Sequence, residues 1–302
     1  MKFVAVGDFT CKNQAEKTMD NIKKRTPDIV LALGDFSYQK KEDFEDGEEP
    51  LDCFLKDIDE RIPELKSKIK PLLGNHEDDE EIGNHGDKMK EAIKREFEIQ
   101  SFHYSFDFDN VHFLILNSQA GDYEERPPPS QHAFAREDLK AARANSATDW
   151  IIVCYHKPTI TSATDHEPEV LFRDIYHELF DEFKVDLILT GHNHNYQRSN
   201  LIIHDPQNPP KPKVIDSGNG PYDTRQGRIH MVLGTGGRKF DEFTNPKEED
   251  QEKFIKKRMR KNGILCVELI DRKQMNLKFI GNDSDDQDPP LDEFIIDKSD
   301  EP

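Results

Sequence analysis

The sequence contains the stretch Val185-Asp186-Leu187-Ile188-Leu189-Thr190-Gly191-His192-Asn193-His194, in which a short apolar run ends at a glycine and two closely spaced histidines. Such a run predicts a buried strand, and the residues after it then lie in the loop at the carboxyl end of that strand. A lone histidine is usually an ordinary side chain, but two imidazoles separated by one residue in such a loop favour a metal site. Two ligands are too few to hold a metal ion, so the others must come from elsewhere in the chain.

The composition indicates a sizeable acidic protein. The chain has 302 residues, with 42 Lys+Arg and 61 Asp+Glu, and therefore a formal net charge of −19. This charge argues against nucleic acid or an anionic membrane as a partner, although bound cations can still attract an anionic substrate locally. Because no apolar run approaches the roughly 18 residues that a transmembrane helix needs, the sequence predicts no membrane span.

The cysteines and the start of the chain bear on the compartment. The four cysteines, Cys11, Cys53, Cys154 and Cys266, are scattered and lack paired spacing. The chain opens at Met1 directly into an apolar run, without a signal-peptide pattern. We therefore expect reduced thiols and a cytoplasmic protein, or a secreted one if a leader has been removed. No feature of the sequence indicates an oligomeric state.

Strands and helices alternate along most of the chain. Short apolar runs predict strands at residues 2–6, 28–33, 69–73 and 150–155, with segments of helical spacing between them. After His194 the pattern changes to further strands, apart from the charged segment 247–261, for which we predict a solvated helix. This order predicts an α/β architecture whose functional loops follow the carboxyl ends of strands.

Polar side chains recur at or just after the ends of the predicted strands. They are Asp8, Asp35, Asn75, His156, His192 and His194. If those strands share a sheet, their side chains converge on one rim, and such a set of oxygen and nitrogen donors favours a site for two metal ions. Ions roughly 3.5–4 Å apart clamp both the attacking and the leaving oxygen of a phosphoryl group. Taken singly, Asp8 and Asp35 are more often turn residues or helix caps.

Five motifs in this order resemble those of the metallophosphoesterase (calcineurin-like) superfamily: Gly7-Asp8, Gly34-Asp35-Phe36-Ser37-Tyr38, Gly74-Asn75-His76-Glu77, Val153-Cys154-Tyr155-His156 and Gly191-His192-Asn193-His194. The tyrosine three residues after Asp35 is similar to the purple acid phosphatases, as is the later Gly234-Thr235-Gly236-Gly237. The resemblance implies a four-layer α/β/β/α sandwich of two mixed sheets flanked by helices. It also implies one catalytic domain over residues 1–302, and we see no repeat or linker that divides the chain.

The resemblance also implies a metal ligand set. Fe(III) is expected at Asp8, Tyr38 and His194, and a divalent ion (Zn, Mn or Fe) at Asn75, His156 and His192, with Asp35 bridging the two ions. Anionic oxygen donors suit a trivalent ion, while imidazoles and an amide suit a divalent one. Many metallophosphoesterases have a histidine where this chain has Thr10, and Tyr38 is the expected replacement ligand.

Two further histidines are implied to act on the substrate. His76 should face the phosphate, where it stabilises charge or protonates the leaving oxygen. His166, ten residues after His156, should contact the substrate. Plant members of the family often carry two adjacent histidines at this place, whereas this chain has Asp165 before His166.

The resemblance implies a dinuclear-metal phosphomonoesterase that hydrolyses small phosphate esters by in-line attack of a metal-bound hydroxide. One alternative is a phosphodiesterase acting on cyclic nucleotides or other diesters, because the same metals serve both reactions. An alternative of a different class is a non-catalytic metal-binding scaffold of the same fold. The intact ligand set argues against the scaffold.

Overall fold

Strands and helices alternate in the computed structural model, which describes residues 1–39, 49, 51–78, 86–119, 129–162, 166–205, 211–243, 252–285 and 287–299. The strands are β1 Lys2–Val6, β2 Ile29–Ala32, β3 Ile69–Pro71, β4 Tyr104–Phe108, β5 Val111–Ile115, β6 Trp150–Cys154, β7 Leu187–Thr190, β8 Tyr196–Ser199, β9 Leu201–His204, β10 Pro212–Asp216, β11 Ile229–Leu233, β12 Ile255–Met259, β13 Gly263–Leu269, β14 Gln274–Gly281 and β15 Asp292–Asp297. The helices are α1 Asn13–Arg25, α2 Asp52–Arg61, α3 Asn75–Asp78, α4 Gly86–Phe97, α5 Pro129–Ala144 and α6 Val170–Glu182.

Two large mixed sheets form the centre of the described structure. The first has the order β15-β14-β13-β1-β2-β3, and the second has the order β12-β8-β11-β7-β6-β5-β4, while β9 and β10 form a separate pair. Strands β1, β2 and β3 are parallel to one another, as are β5, β6, β7 and β11. In each sheet, therefore, several strands end at the same edge.

Alternating side chains bury both faces of each sheet. In β1, Phe3 and Ala5 point into the core between the sheets, whereas Val4 and Val6 point into an outer core that also contains residues of α1, α2 and α4. In the second sheet the outer core contains residues of α5 and α6. Because both faces are covered, central strands such as β1, β2, β6 and β7 are almost continuous apolar runs. The predicted four-layer α/β/β/α sandwich is confirmed. Among the described helices, none is both long and apolar enough to cross a membrane.

The predicted helix at residues 247–261 is wrong where the structure describes it. Residues 247–251 lie outside the described part, a short 3-10 turn covers Glu252–Phe254, and β12 follows at Ile255–Met259. The strand is antiparallel to β8 and occupies an edge of the second sheet. Its lysine and arginine side chains suit a sheet edge, because charges there discourage pairing with other chains. Tertiary pairing thus overrides the charge pattern that favoured a helix.

The expectation of four reduced cysteines is also wrong. Cys11 and Cys53 form a disulfide with a Cα–Cα distance of 5.6 Å, while Cys154 and Cys266 are free and buried. The bond links the loop after β1 to the first turn of α2, across 42 residues of sequence. It removes the sequence argument for a cytoplasmic compartment, since that argument depended on unpaired thiols.

Candidate metal centre

The candidate metal centre lies where the carboxyl ends of strands from both sheets meet. Strands β1, β2 and β3 lead into Asp8, Asp35 and Asn75, and strands β6 and β7 lead into His156 and the His192–His194 turn. Two groups of side chains there have ligand atoms within 4.8 Å of one another: Asp8, Asp35 and His194, and Asp35, His156 and His192. Asp35 belongs to both groups, as a bridging carboxylate must.

Tyr38 completes the first group. Its hydroxyl lies 3.0 Å from Asp8 Oδ1, 3.0 Å from Asp35 Oδ2 and 2.9 Å from His194 Nε2. His194 Nδ1 lies 3.0 Å from Asp241 Oδ1. Because Nδ1 donates a hydrogen bond to this carboxylate, Nε2 is the ring nitrogen that faces the centre.

Asn75 completes the second group. Its Oδ1 lies 2.8 Å from His192 Nδ1 and 3.1 Å from His156 Nε2. His156 Nδ1 is 2.7 Å from the carbonyl oxygen of Leu33, and since a carbonyl only accepts, Nδ1 carries the proton and Nε2 faces the centre. The seven predicted ligands are thus brought together in the two groups that the family resemblance implied.

The backbone of the site is held in unusual conformations. Asp8, Asp35 and His192 have φ angles of 64°, 54° and 69°, in the left-handed region that costs energy for residues other than glycine. Gly74 has no space for a side chain, because a Cβ there would clash with Asp35. The surrounding structure thus fixes the directions of the carboxylates before any ligand binds.

The charges of the site strongly influence one another. Burial alone raises the pKa of Asp35, but the His156 imidazole beside it holds that pKa far below its usual range. Burial lowers the pKa of His156, yet Asp35 raises it to about 9. Burial likewise lowers the pKa of His194, while hydrogen bonds to Asp241 and Asp8 raise it to about 10. Metal binding would displace these protons, because a ligand nitrogen must be deprotonated.

The donor set fits two metal ions. Carboxylates, a phenol, an amide oxygen and imidazoles are all ligand types that transition metals accept. Burial, followed by the charges of Asp35 and Asp8, raises the pKa of Tyr38 well above its ordinary value. Its ionisation therefore needs a strongly positive partner, as a bound trivalent cation would be.

His76 and His166 lie beside the donor groups. The His76 ring is 4.2 Å from the Tyr38 ring between centroids, and its backbone N–H donates to Asp35 Oδ1 at 3.0 Å. The His166 ring lies 4.2 Å from the His192 ring and 6.2 Å from the His194 ring. Both side chains are partly exposed. Asp165 lies outside the described residues.

The sequence analysis missed the supporting role of Glu77. This fully buried carboxylate accepts hydrogen bonds from the backbone N–H groups of Asp35, Phe36 and Gly74, and so ties the loops after β2 and β3 together. Burial and the charge of Asp35 raise its pKa to about 8, against the effect of these hydrogen bonds. Its place within the Gly74–Glu77 motif was the only signal in the sequence.

Asp241 and Arg238 were missed as well. Both lie in the loop after β11, and the Arg238 guanidinium carbon is 4.1 Å from the centroid of the Tyr38 ring. The glycines at 234, 236 and 237 drew attention to this loop, but nothing in the residues after them indicated a contact with the site.

Comparison with known proteins identifies relatives. The family model of the calcineurin-like phosphoesterases matches residues 1–196. Purple acid phosphatase 23 of Arabidopsis thaliana is 27% identical over 239 residues, which cover 71% of this chain and 51% of that protein. Acid phosphatase type 7 of Mus musculus is 24% identical over 304 residues, which cover 94% of this chain and 65% of that protein. The chain spans between 35% and 65% of the length of the curated relatives that it matches here.

A solved structure shares the fold. The purple acid phosphatase isolated from yellow lupin (Lupinus luteus) seeds superposes with a TM-score of 0.73 at 18% sequence identity. The match covers 98% of this chain and 53% of the lupin chain. At this identity the likeness establishes the architecture of the two sheets and their flanking helices.

Proposed function

The chain belongs to the calcineurin-like phosphoesterase family, and we propose that it is a metal-dependent phosphomonoesterase of the purple acid phosphatase type, acting on a small phosphate ester. The observation that carries the proposal is the convergence of buried and partly buried donors in two groups that share Asp35. Similarity to acid phosphatases of a plant and a mouse supports the same reaction class.

The proposal assigns each ligand a place. Asp8, Tyr38 and His194 would hold Fe(III), Asn75, His156 and His192 would hold a divalent ion (Zn, Mn or Fe), and Asp35 would be shared by the two ions. Bound cations supply positive charge that neutralises phosphoryl oxygens and lowers the pKa of water. The fixed φ angles of Asp8, Asp35 and His192 support this role, because a preorganised site need not rearrange when substrate binds.

His76 and His166 act on the substrate itself. The His76 ring lies against Tyr38 and is only partly buried, so it can donate a proton or a hydrogen bond to the leaving oxygen. His166 lies against His192 on the other donor group, where it can contact a phosphoryl oxygen or the alcohol part of the ester. Cleavage then needs a water in line with the leaving oxygen, on the opposite side of phosphorus.

The experiment is a pair of chromogenic assays on purified protein with metal analysis. We expect p-nitrophenyl phosphate to be hydrolysed with a higher kcat/KM than bis(p-nitrophenyl) phosphate, and two metal ions to be bound per chain. Asp35→Asn should lose both activity and metal, which excludes a contaminating phosphatase. Faster hydrolysis of the diester would identify a phosphodiesterase instead, and two bound metals without hydrolysis of either ester would identify a scaffold.

A further inference from the structure

Backbone hydrogen bonds place Arg238 beside the candidate metal centre. Its N–H donates to the carbonyl oxygen of Asp8 at 3.3 Å, and the N–H of Gly236 donates to the carbonyl oxygen of Gly7 at 2.8 Å. These bonds fasten the loop after β11 to the end of β1, beside the first donor group. The position of Arg238 is therefore set by the same loop that carries Asp8.

The guanidinium of Arg238 stacks on Tyr38 and has no carboxylate partner within the described residues. It lies 4.1 Å from the centroid of the ring whose hydroxyl contacts Asp8 and Asp35. Other arginines with buried side chains are paired, as Arg198 is with Asp292 and Arg228 with Asp181. In a chain of net charge −19, a half-buried guanidinium beside the candidate metal centre, without a carboxylate partner among the described residues, is well placed to bind an anion.

Arg238 and His76 both lie against the Tyr38 ring. The Arg238 guanidinium carbon is 4.1 Å from the centroid of that ring, and the His76 ring is 4.2 Å from it between centroids. Both side chains therefore border the part of the site around Tyr38. A guanidinium presents its N–H donors in a planar fork that matches two phosphate oxygens.

We propose that Arg238 contacts the non-bridging oxygens of the substrate phosphate and thereby selects dianionic monoesters over monoanionic diesters. The proposal rests on the phosphoesterase function proposed above and names its substrate class. A diester carries one negative charge fewer and has an ester group on one of the oxygens that the fork would hold. It therefore gains less from the guanidinium than a monoester does.

The test compares Arg238→Met with Lys239→Met, which removes a positive charge from the next residue of the same loop. Inorganic phosphate binding to the metal-loaded proteins is measured by titration calorimetry, alongside kcat/KM for p-nitrophenyl phosphate and bis(p-nitrophenyl) phosphate. For Arg238→Met we expect phosphate affinity and monoester kcat/KM to fall by about tenfold to a hundredfold, as for loss of a charged hydrogen bond. Diester kcat/KM should change by less than about threefold, and Lys239→Met should resemble the wild type.

Several results would overturn the proposal. They are an unchanged phosphate affinity of Arg238→Met, an equal loss of kcat/KM for the monoester and the diester, or a wild-type protein that binds no phosphate. A purely structural role of the stacking would lower Tm without changing phosphate affinity. If Arg238→Met fails to fold, Arg238→Gln replaces it, and Arg238→Lys should retain part of the affinity. If the wild type hydrolyses neither ester, the proposed function fails, yet the phosphate titration still decides whether Arg238 binds the anion.

Discussion

Removal of the Cys11–Cys53 disulfide should lower stability by an amount that follows from the length of chain it closes. The two cysteines are 42 residues apart, and a crosslink over such a loop removes about 4 kcal/mol of chain entropy from the unfolded state at 25 °C. Each kcal/mol shifts Tm by roughly 2–4 °C in domains of moderate size, with the smaller value for larger chains. For Cys11→Ser/Cys53→Ser we therefore expect Tm to fall by roughly 8 °C.

The fold itself should survive the double substitution. Phe54, next to Cys53 on α2, stacks on Phe36 with ring centroids 4.8 Å apart and contacts Phe9 at 5.0 Å. These aromatic contacts keep α2 on the first sheet without the crosslink, because each contributes apolar burial of its own. The loss should thus appear as a shifted, still cooperative transition.

Calorimetry and thiol titration test this reasoning together. Wild-type protein purified without reductant should show two reactive thiols in denaturant, from Cys154 and Cys266, and four after reduction. Reductant should lower the Tm of the wild type but leave the Tm of the double variant unchanged. The double variant is therefore the control for effects of reductant that do not involve the disulfide. Four thiols before reduction, or a Tm that reductant does not move, would refute the assignment of the disulfide.

Three further predictions concern the site. Iron-loaded wild-type protein should be purple or pink because of tyrosinate-to-Fe(III) charge transfer, whereas Tyr38→Phe should be colourless. A visible spectrum tests this, and a colourless oxidised wild type would contradict the assignment of Tyr38 as a ligand. His76→Ala should retain its metals but lose turnover by on the order of 10² or more, and loss of metal measured by elemental analysis would make His76 a ligand. Asp241→Asn removes the carboxylate that accepts a hydrogen bond from His194 and should weaken metal binding by about tenfold to a hundredfold. Competition with a chelator measures this, and an unchanged metal affinity would show that Asp241 does not support His194 as a ligand.

The strand ends were predictable because apolar runs and their terminating glycines are local features. The apolar run Val185–Thr190 predicted a strand that ends just before the loop of His192 and His194. The predicted strands at residues 2–6 and 28–33 likewise placed Asp8 and Asp35 just after strand ends. Parallel pairing then brings these ends to a common edge. The four layers and the convergence of the donors therefore follow from pattern and family resemblance together.

The remaining features depend on tertiary proximity that no local pattern encodes. The Cys11–Cys53 pairing requires α2 to lie over the loop after β1, and strand β12 forms because β8 offers it a free edge. Asp241 and Arg238 reach the site only because the loop after β11 is bonded to the end of β1. Their own sequence context, two charged residues in a charged loop, is typical of exposed surface.

The electrostatics of the centre explain how so acidic a protein can bind an anion. Asp8, Asp35 and Glu77 are almost completely buried, and buried carboxylates are costly unless hydrogen bonds or cations compensate them. Backbone N–H groups compensate part of this charge, since His192 donates to Asp8 and three residues donate to Glu77. Cations at the two donor groups would balance the rest and free the histidines of their protons. With both cations bound, the local charge would become positive despite the net charge of −19, and Arg238, which lies over Tyr38, would add to it.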